Sequence, residues 1–135
     1  MTKLSGWKIG KVSTLDDGQW LWLASSNYLA WKFTKDNSML IEITGKYLFF
    51  HPDPKILTKI AKDEIISGGF HLAKISKELA GNNHNHVLCL YYKDDSRKNE
   101  LATKYQDKND IQYRYWKSDE DTRNGKYSKQ FLSRL

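Results

Sequence analysis

Apolar residues come in short bursts along this chain, and their spacing predicts most of its elements. Lys46-Tyr47-Leu48-Phe49-Phe50-His51 is short and aromatic-rich, which predicts a strand. His51-Pro52-Asp53-Pro54 stops it, and Asp53-Pro54 offers an N-cap followed by proline at the first helical position. Ile56, Leu57, Ile60, Ile65 and Ile66 then recur near helical spacing as far as Gly68-Gly69, a C-terminal stop. Phe70 to Ser76 reads as a strand, and Ala80 to Asn85 as a polar loop. His86-Val87-Leu88-Cys89-Leu90-Tyr91-Tyr92 is the strongest candidate for a buried strand. Asp94-Asp95-Ser96 predicts the cap of a polar helix running to about Lys108. Ile111 to Lys117 alternates like a half-exposed strand, and a charged loop follows from Ser118 to Tyr127.

The first forty residues are harder to read. Asp16-Asp17-Gly18 is turn chemistry ahead of Gln19-Trp20-Leu21-Trp22-Leu23-Ala24. If that run is a strand, Trp20 and Trp22 share one face. A helix can begin near Asn27. From Gly45 on, the order is strand, helix, strand, strand, helix, strand. This predicts an α+β fold of two layers, with helices covering one face of a mostly antiparallel sheet. The other face needs a cover or a ligand, and the N-terminal tryptophans are candidates for the cover.

Composition sharpens this picture. The 135 residues are one domain's worth of chain, so a single domain over 1–135 is expected. Lys+Arg 22 against Asp+Glu 16 leaves a net charge of +6, which favours anionic partners. With 5 Trp, 8 Tyr and 5 Phe the chain is too aromatic for a disordered basic tail. The single Cys89 excludes a disulfide framework and cysteine-rich metal sites. No apolar run approaches the roughly 20 residues of a membrane span, and residues 1–7 lack a signal-peptide stretch, so a cytoplasmic location and no membrane partner are expected.

Motifs for familiar chemistries are missing. His84-Asn85-His86 has no companion ligands, and neither Asp94-Asp95 nor Asp119-Glu120-Asp121 has calcium-loop spacing. No metal or cofactor is therefore expected. Phosphate-binding glycine loops and a Gly-x-Ser-x-Gly elbow are absent, and Cys89 reads as an inert core thiol. Basic and aromatic residues remain. Lys74 and Ser76 share a strand face, with His71 on the opposite one. Arg114 shares its face with Gln112 and Trp116, opposite Tyr113, Tyr115 and Lys117. Lys117, Arg123, Lys126 and Tyr127 crowd one segment. Cations converging from neighbouring strands make a phosphate site. On this reading Lys74, Lys117, Tyr127 and His71 are the candidate catalytic residues. Arg114, Trp116, Arg123, Lys126 and Ser76 are the candidate substrate-binding ones. A solvated basic surface, with Asp119 and Asp121 neutralising Arg123, is the plainer alternative. The N-terminal tryptophans read as core before they read as a stacking platform.

Four segments also carry a resemblance: Gly45 to Phe50, Ala73-Lys74-Ile75-Ser76, His86 to Tyr91, and Tyr115 to Tyr127. The last contains Lys-Ser-Asp-x-x-Thr-x-x-Gly-x-Tyr, the most specific of them. Over about residues 45 to 127 the chain resembles small proteins described as carrying a phosphothreonine lyase domain. These look like relatives of the mRNA-cap-binding initiation factors. The resemblance implies a curved antiparallel sheet backed by helices. It implies a lysine base, best matched by Lys74, and a histidine acid for which His51, His71 and His86 compete. A cap-binding likeness would draw a tryptophan pair from Trp20, Trp22, Trp31 and Trp116.

The function expected is a small metal-independent enzyme acting on a phosphate ester, with RNA or a cyclic oligonucleotide messenger as substrate, in the manner of a ring nuclease. The substrate's own 2′-hydroxyl supplies the nucleophile, so the protein need only orient it and stabilise charge. By analogy such an enzyme is a possible homodimer. A phosphothreonine lyase, a non-catalytic RNA or nucleotide module, and a protein-interaction domain stay open beside it.

Overall fold

The computed structural model describes residues 6–33, 41–79, 84–106, 108 and 110–119, with the side chain of Tyr115 left out. Among these residues nine elements run in the order β1 (Val12–Asp16), β2 (Trp20–Ser25), α1 (Ser26–Phe33), β3 (Gly45–His51), α2 (Pro54–Ser67), β4 (Leu72–Ser76), β5 (His86–Tyr92), α3 (Lys98–Tyr105) and β6 (Gln112–Ser118). The strands form one open, curved sheet in the order β1-β2-β4-β5-β3-β6, and every paired neighbour is antiparallel. The fold is α+β with two layers, as its element order implies.

Strand alternation divides the sheet side chains between two faces. Leu23, Tyr47, Phe49, Ala73, Ile75, Leu88 and Leu90 point to one face and meet Leu57, Ile60, Ala61 and Ile65 of α2 and Leu101 of α3 in the main core. α2 starts as its sequence dictates, with the Asp53 carboxylate accepting from Lys55 N and Pro54 in the first turn. Gly69, at φ 81°, turns the chain out of it. The short α1 docks at one end of the other face, where Leu29 joins Ala24 and Leu72 beside Trp22 and Tyr91.

The structure differs from the sequence reading in three places. β1, a strand of Val, Ser, Thr, Leu and Asp, carries no clear apolar alternation, so the hydrophobic pattern does not predict it. The polar helix is shorter than Asp94-to-Lys108. Asp94 instead closes a turn by accepting from Ser96 N, and α3 begins at Lys98 with no side-chain cap. Finally, the β3–β6 register shifts between Tyr47 and Phe49, so β6 carries a bulge near Arg114 and Tyr115. The bulge inverts the expected alternation beyond it. Trp116 lies on the helix-covered face, its ring 4.9 Å from Tyr47, while Arg114 and Lys117 both face the opposite way. No helix among the described residues is long and apolar enough to cross a membrane.

Candidate functional site

The face turned away from α2 and α3 is built from cross-strand rows. In one row Trp22 of β2 lies opposite Lys74 of β4, which lies opposite Cys89 of β5, which lies opposite Leu48 of β3. In the next, Tyr91 lies opposite Lys46, and Lys46 opposite Lys117 of β6. Three lysines from three strands thus reach one face. Like charges directly opposed across a ladder are destabilising, and the Asp119 carboxylate beside Lys46 offsets part of that cost.

Each amine has a defined environment. Lys74 Nζ sits 4.0 Å from the Trp20 ring centroid and 5.2 Å from that of Trp22. Lys46 Nζ is 5.7 Å from the Tyr91 centroid and 3.6 Å from the Asp119 carboxylate, on a side chain only 9% exposed. Trp22 stacks against Tyr91 at 6.4 Å and donates its indole N–H to Asp17. Burial lowers the Lys74 pKa below the usual lysine value; the charge of Lys46 adds to this, while Cys89, Asp17 and Asp119 oppose it. The Lys117 pKa is lowered too, by burial and then by Lys46. Burial raises the Cys89 thiol and the Tyr91 phenol, which leaves both protonated at neutral pH.

Of the residues singled out in the sequence, Lys74 and Lys117 share this face, with β5 and β3 between their strands. Arg114 faces the same way, its guanidinium 5.4 Å from the Phe50 ring. Ser76 shares the face of Lys74, but its hydroxyl accepts from Val87 N and ties β4 to β5. His71 precedes β4, three residues and about 10 Å of strand from Lys74, and its Nδ1 lies 2.8 Å from Ser25 Oγ. Burial lowers its pKa, which favours the neutral imidazole. His51 and His86 sit on the opposite parity. His51 Nδ1 accepts from Asp53 N, and His86 Nδ1 donates to the Ser76 carbonyl. Arg123, Lys126 and Tyr127 lie outside the described residues. Asp119, expected near Arg123, pairs with Lys46.

Lys46 is the residue that sequence reasoning missed. A lone lysine inside an otherwise aromatic central strand was its signal, since such positions rarely hold an unpartnered charge. Among the described residues there is no group of three or more His, Cys, Asp or Glu able to hold a metal ion. Amines beside indole rings suit a different chemistry, that of charge-assisted contacts to phosphate oxygens with flat apolar surface alongside.

Comparisons with protein-family models, with curated proteins and with solved structures find no match to this chain.

Proposed function

We propose that the lysine face binds the phosphodiester of RNA or of a cyclic oligonucleotide and promotes its cleavage, a single nucleotide occupying the same site without reacting. One observation carries this: Lys46, Lys74 and Lys117 project from three strands on one face of the sheet, and burial leaves two of them with lowered pKa values. A phosphodiester anion offsets that desolvation, because its oxygens add charge-assisted contacts beside the Asp119 carboxylate that already meets Lys46.

In the reaction a ribose 2′-oxygen bonds to the adjacent phosphorus, and the bond from phosphorus to the 5′-oxygen breaks. Lys74, more often neutral than an ordinary lysine, takes the 2′-hydroxyl proton. Lys46 and Lys117 stabilise the charge gathering on the phosphoryl oxygens, and the 5′-oxygen leaves with a proton from an ammonium or water. The products are a 2′,3′-cyclic phosphate and a free 5′-hydroxyl. Incubation with cyclic oligoadenylates and with RNA, in EDTA, tests this by mass spectrometry. The cyclic phosphate is expected from the native chain and not from Lys74→Met. An intact substrate that nonetheless binds would reduce the proposal to a binding module.

A phosphothreonine lyase is the second reading, favoured by the desolvated Lys74 that the family resemblance marks as base. It needs a histidine acid near that lysine. Neither His51 nor His86 projects from the same face, and His71 is remote from Lys74. The nucleotide reading is therefore preferred. Phosphate loss from a phosphothreonine peptide would reverse that order.

A further inference from the structure

Beside the lysine face, at the end of the sheet where residues 41–44 lead into β3, lies a cavity of about 150 Å³. Its walls include Ile43, His71, Tyr91, Tyr92 and Lys93, with Glu42 at its side. We propose that this cavity receives the nucleobase of the ligand whose phosphate sits on the lysines. This rests on the phosphate-binding reading above and extends it by naming where the base goes.

Three features point there. First, the tryptophans of the lysine face are already engaged: the Lys74 ammonium caps Trp20, and Trp22 stacks on Tyr91. A base stacked on either indole has to displace a contact. Second, cavity and lysines share a wall. Tyr91 lines the cavity, lies opposite Lys46 in the ladder and sits under its ammonium. Lys117 lies directly across from Lys46, one strand further from the cavity. Lys46, its amine 5.7 Å from the Tyr91 ring centroid, is thus the amine placed to meet the phosphate of a nucleotide whose base enters the cavity. Third, the lining has the chemistry of a base pocket: flat and branched apolar surface with a few convergent polar groups. Tyr91 offers a ring, one side of which meets Trp22, while the Tyr92 ring packs on the other face of the sheet against Phe70 and Tyr47. The His71 imidazole, held by Ser25 Oγ, and the Glu42 carboxylate can engage the base edge. Ser25 also accepts from Tyr28 N, which fixes the hydroxyl and with it the His71 ring.

His71 thereby acquires a role separate from proton transfer at Lys74: it reads the base. A ligand series on the full chain, native and with the cavity altered, tests the assignment. Binding of AMP, ribose 5-phosphate, inorganic phosphate and adenosine is measured by calorimetry at one salt concentration, with GMP and CMP in parallel. At least one nucleotide is expected to bind about tenfold or more tightly than ribose 5-phosphate, the scale of one base–aromatic stack. In Ile43→Trp, which fills the cavity, and in His71→Ala, that advantage should fall to about twofold or less while ribose 5-phosphate binding holds. If every nucleotide binds no better than ribose 5-phosphate, the base pocket is wrong and the phosphate site stands. If a nucleotide keeps its advantage in both variants, the base binds elsewhere and the assignment fails. If no phosphate-bearing ligand binds, the phosphate reading falls and this one with it.

Discussion

At the scale of single residues, Lys74 is the group whose protonation matters most. Folding lowers its pKa, so between the folded value and the ordinary value the unfolded chain binds the proton more tightly. Stability must then rise with pH across that interval. The contribution is complete above the unfolded-state pKa and is lost as pH falls through the folded one. Lys74→Met removes this part of the slope. Urea unfolding at pH 8 and pH 10 should show a smaller gain between the two pH values for the variant than for the native chain. An unchanged gain would mean that Lys74 is not the group responsible. Ligand affinity runs the other way, because the amine that is neutral at high pH no longer attracts phosphate. Phosphate binding is expected to weaken as pH rises through the lowered value, and Lys74→Met should flatten that decline. The same residue is visible in the sequence as a cation inside a strand. Lys46 is equally visible there, but its neighbours Tyr47, Leu48, Phe49 and Phe50 make the segment read as pure core.

At the scale of elements, α2 and α3 are joined by a buried carboxylate. Glu64 is fully buried and accepts from Lys104 Nζ at 2.6 Å and from the Tyr105 hydroxyl. Its Oε1 lies against Gly68, where an added Cβ would overlap it. Gly68 has an ordinary φ of −95°, so it is the space beside Glu64 that demands glycine there. Gly68→Ala should therefore destabilise the fold by about 1–3 kcal/mol, the usual cost of overpacking, read as a lower urea midpoint at unchanged slope. A midpoint within error of the native one would show that Glu64 can move aside freely. This clamp is not legible in the sequence, since Gly68-Gly69 reads equally well as a plain helix stop. The boundaries of α2 are legible because Asp53-Pro54 and Gly68-Gly69 are local signals. The face assignment in β6 is not. It depends on a bulge, and a bulge is set by how β6 meets β3 rather than by residues 112–118 themselves. The bulge takes Trp116 out of the candidate site and brings Lys117 onto the face of Arg114 and Lys74.

At the scale of the whole molecule, the question is whether anions respond to the net charge of +6 or to the arrangement of a few amines. The two predict different outcomes for substitutions that change charge equally. Lys117 lies on the lysine face opposite Lys46. Lys59 lies on α2, its side chain 76% exposed and paired at 3.2 Å with Asp63. Each changed to Gln removes one positive charge. A long-range attraction is screened beyond about 8–10 Å at physiological salt. Lys59→Gln should fold because exposed pairs such as Lys59–Asp63 contribute little to stability, and Lys117→Gln because it relieves the like charge opposite Lys46. If phosphate ligands respond to the general field, both lose affinity alike, and the loss vanishes as salt is raised. If the face holds the phosphate, Lys117→Gln weakens binding by about tenfold, one charge-assisted contact, while Lys59→Gln stays within about twofold. Thermal shift reads the same difference, because ligand at about 100 times its Kd stabilises the native state by about 2.7 kcal/mol. Equal losses in the two variants would return the lysine face to ordinary basic surface. An unequal loss that persists at raised salt identifies amines desolvated by the fold, where screening ions reach poorly and a bound phosphate takes the place that water has left.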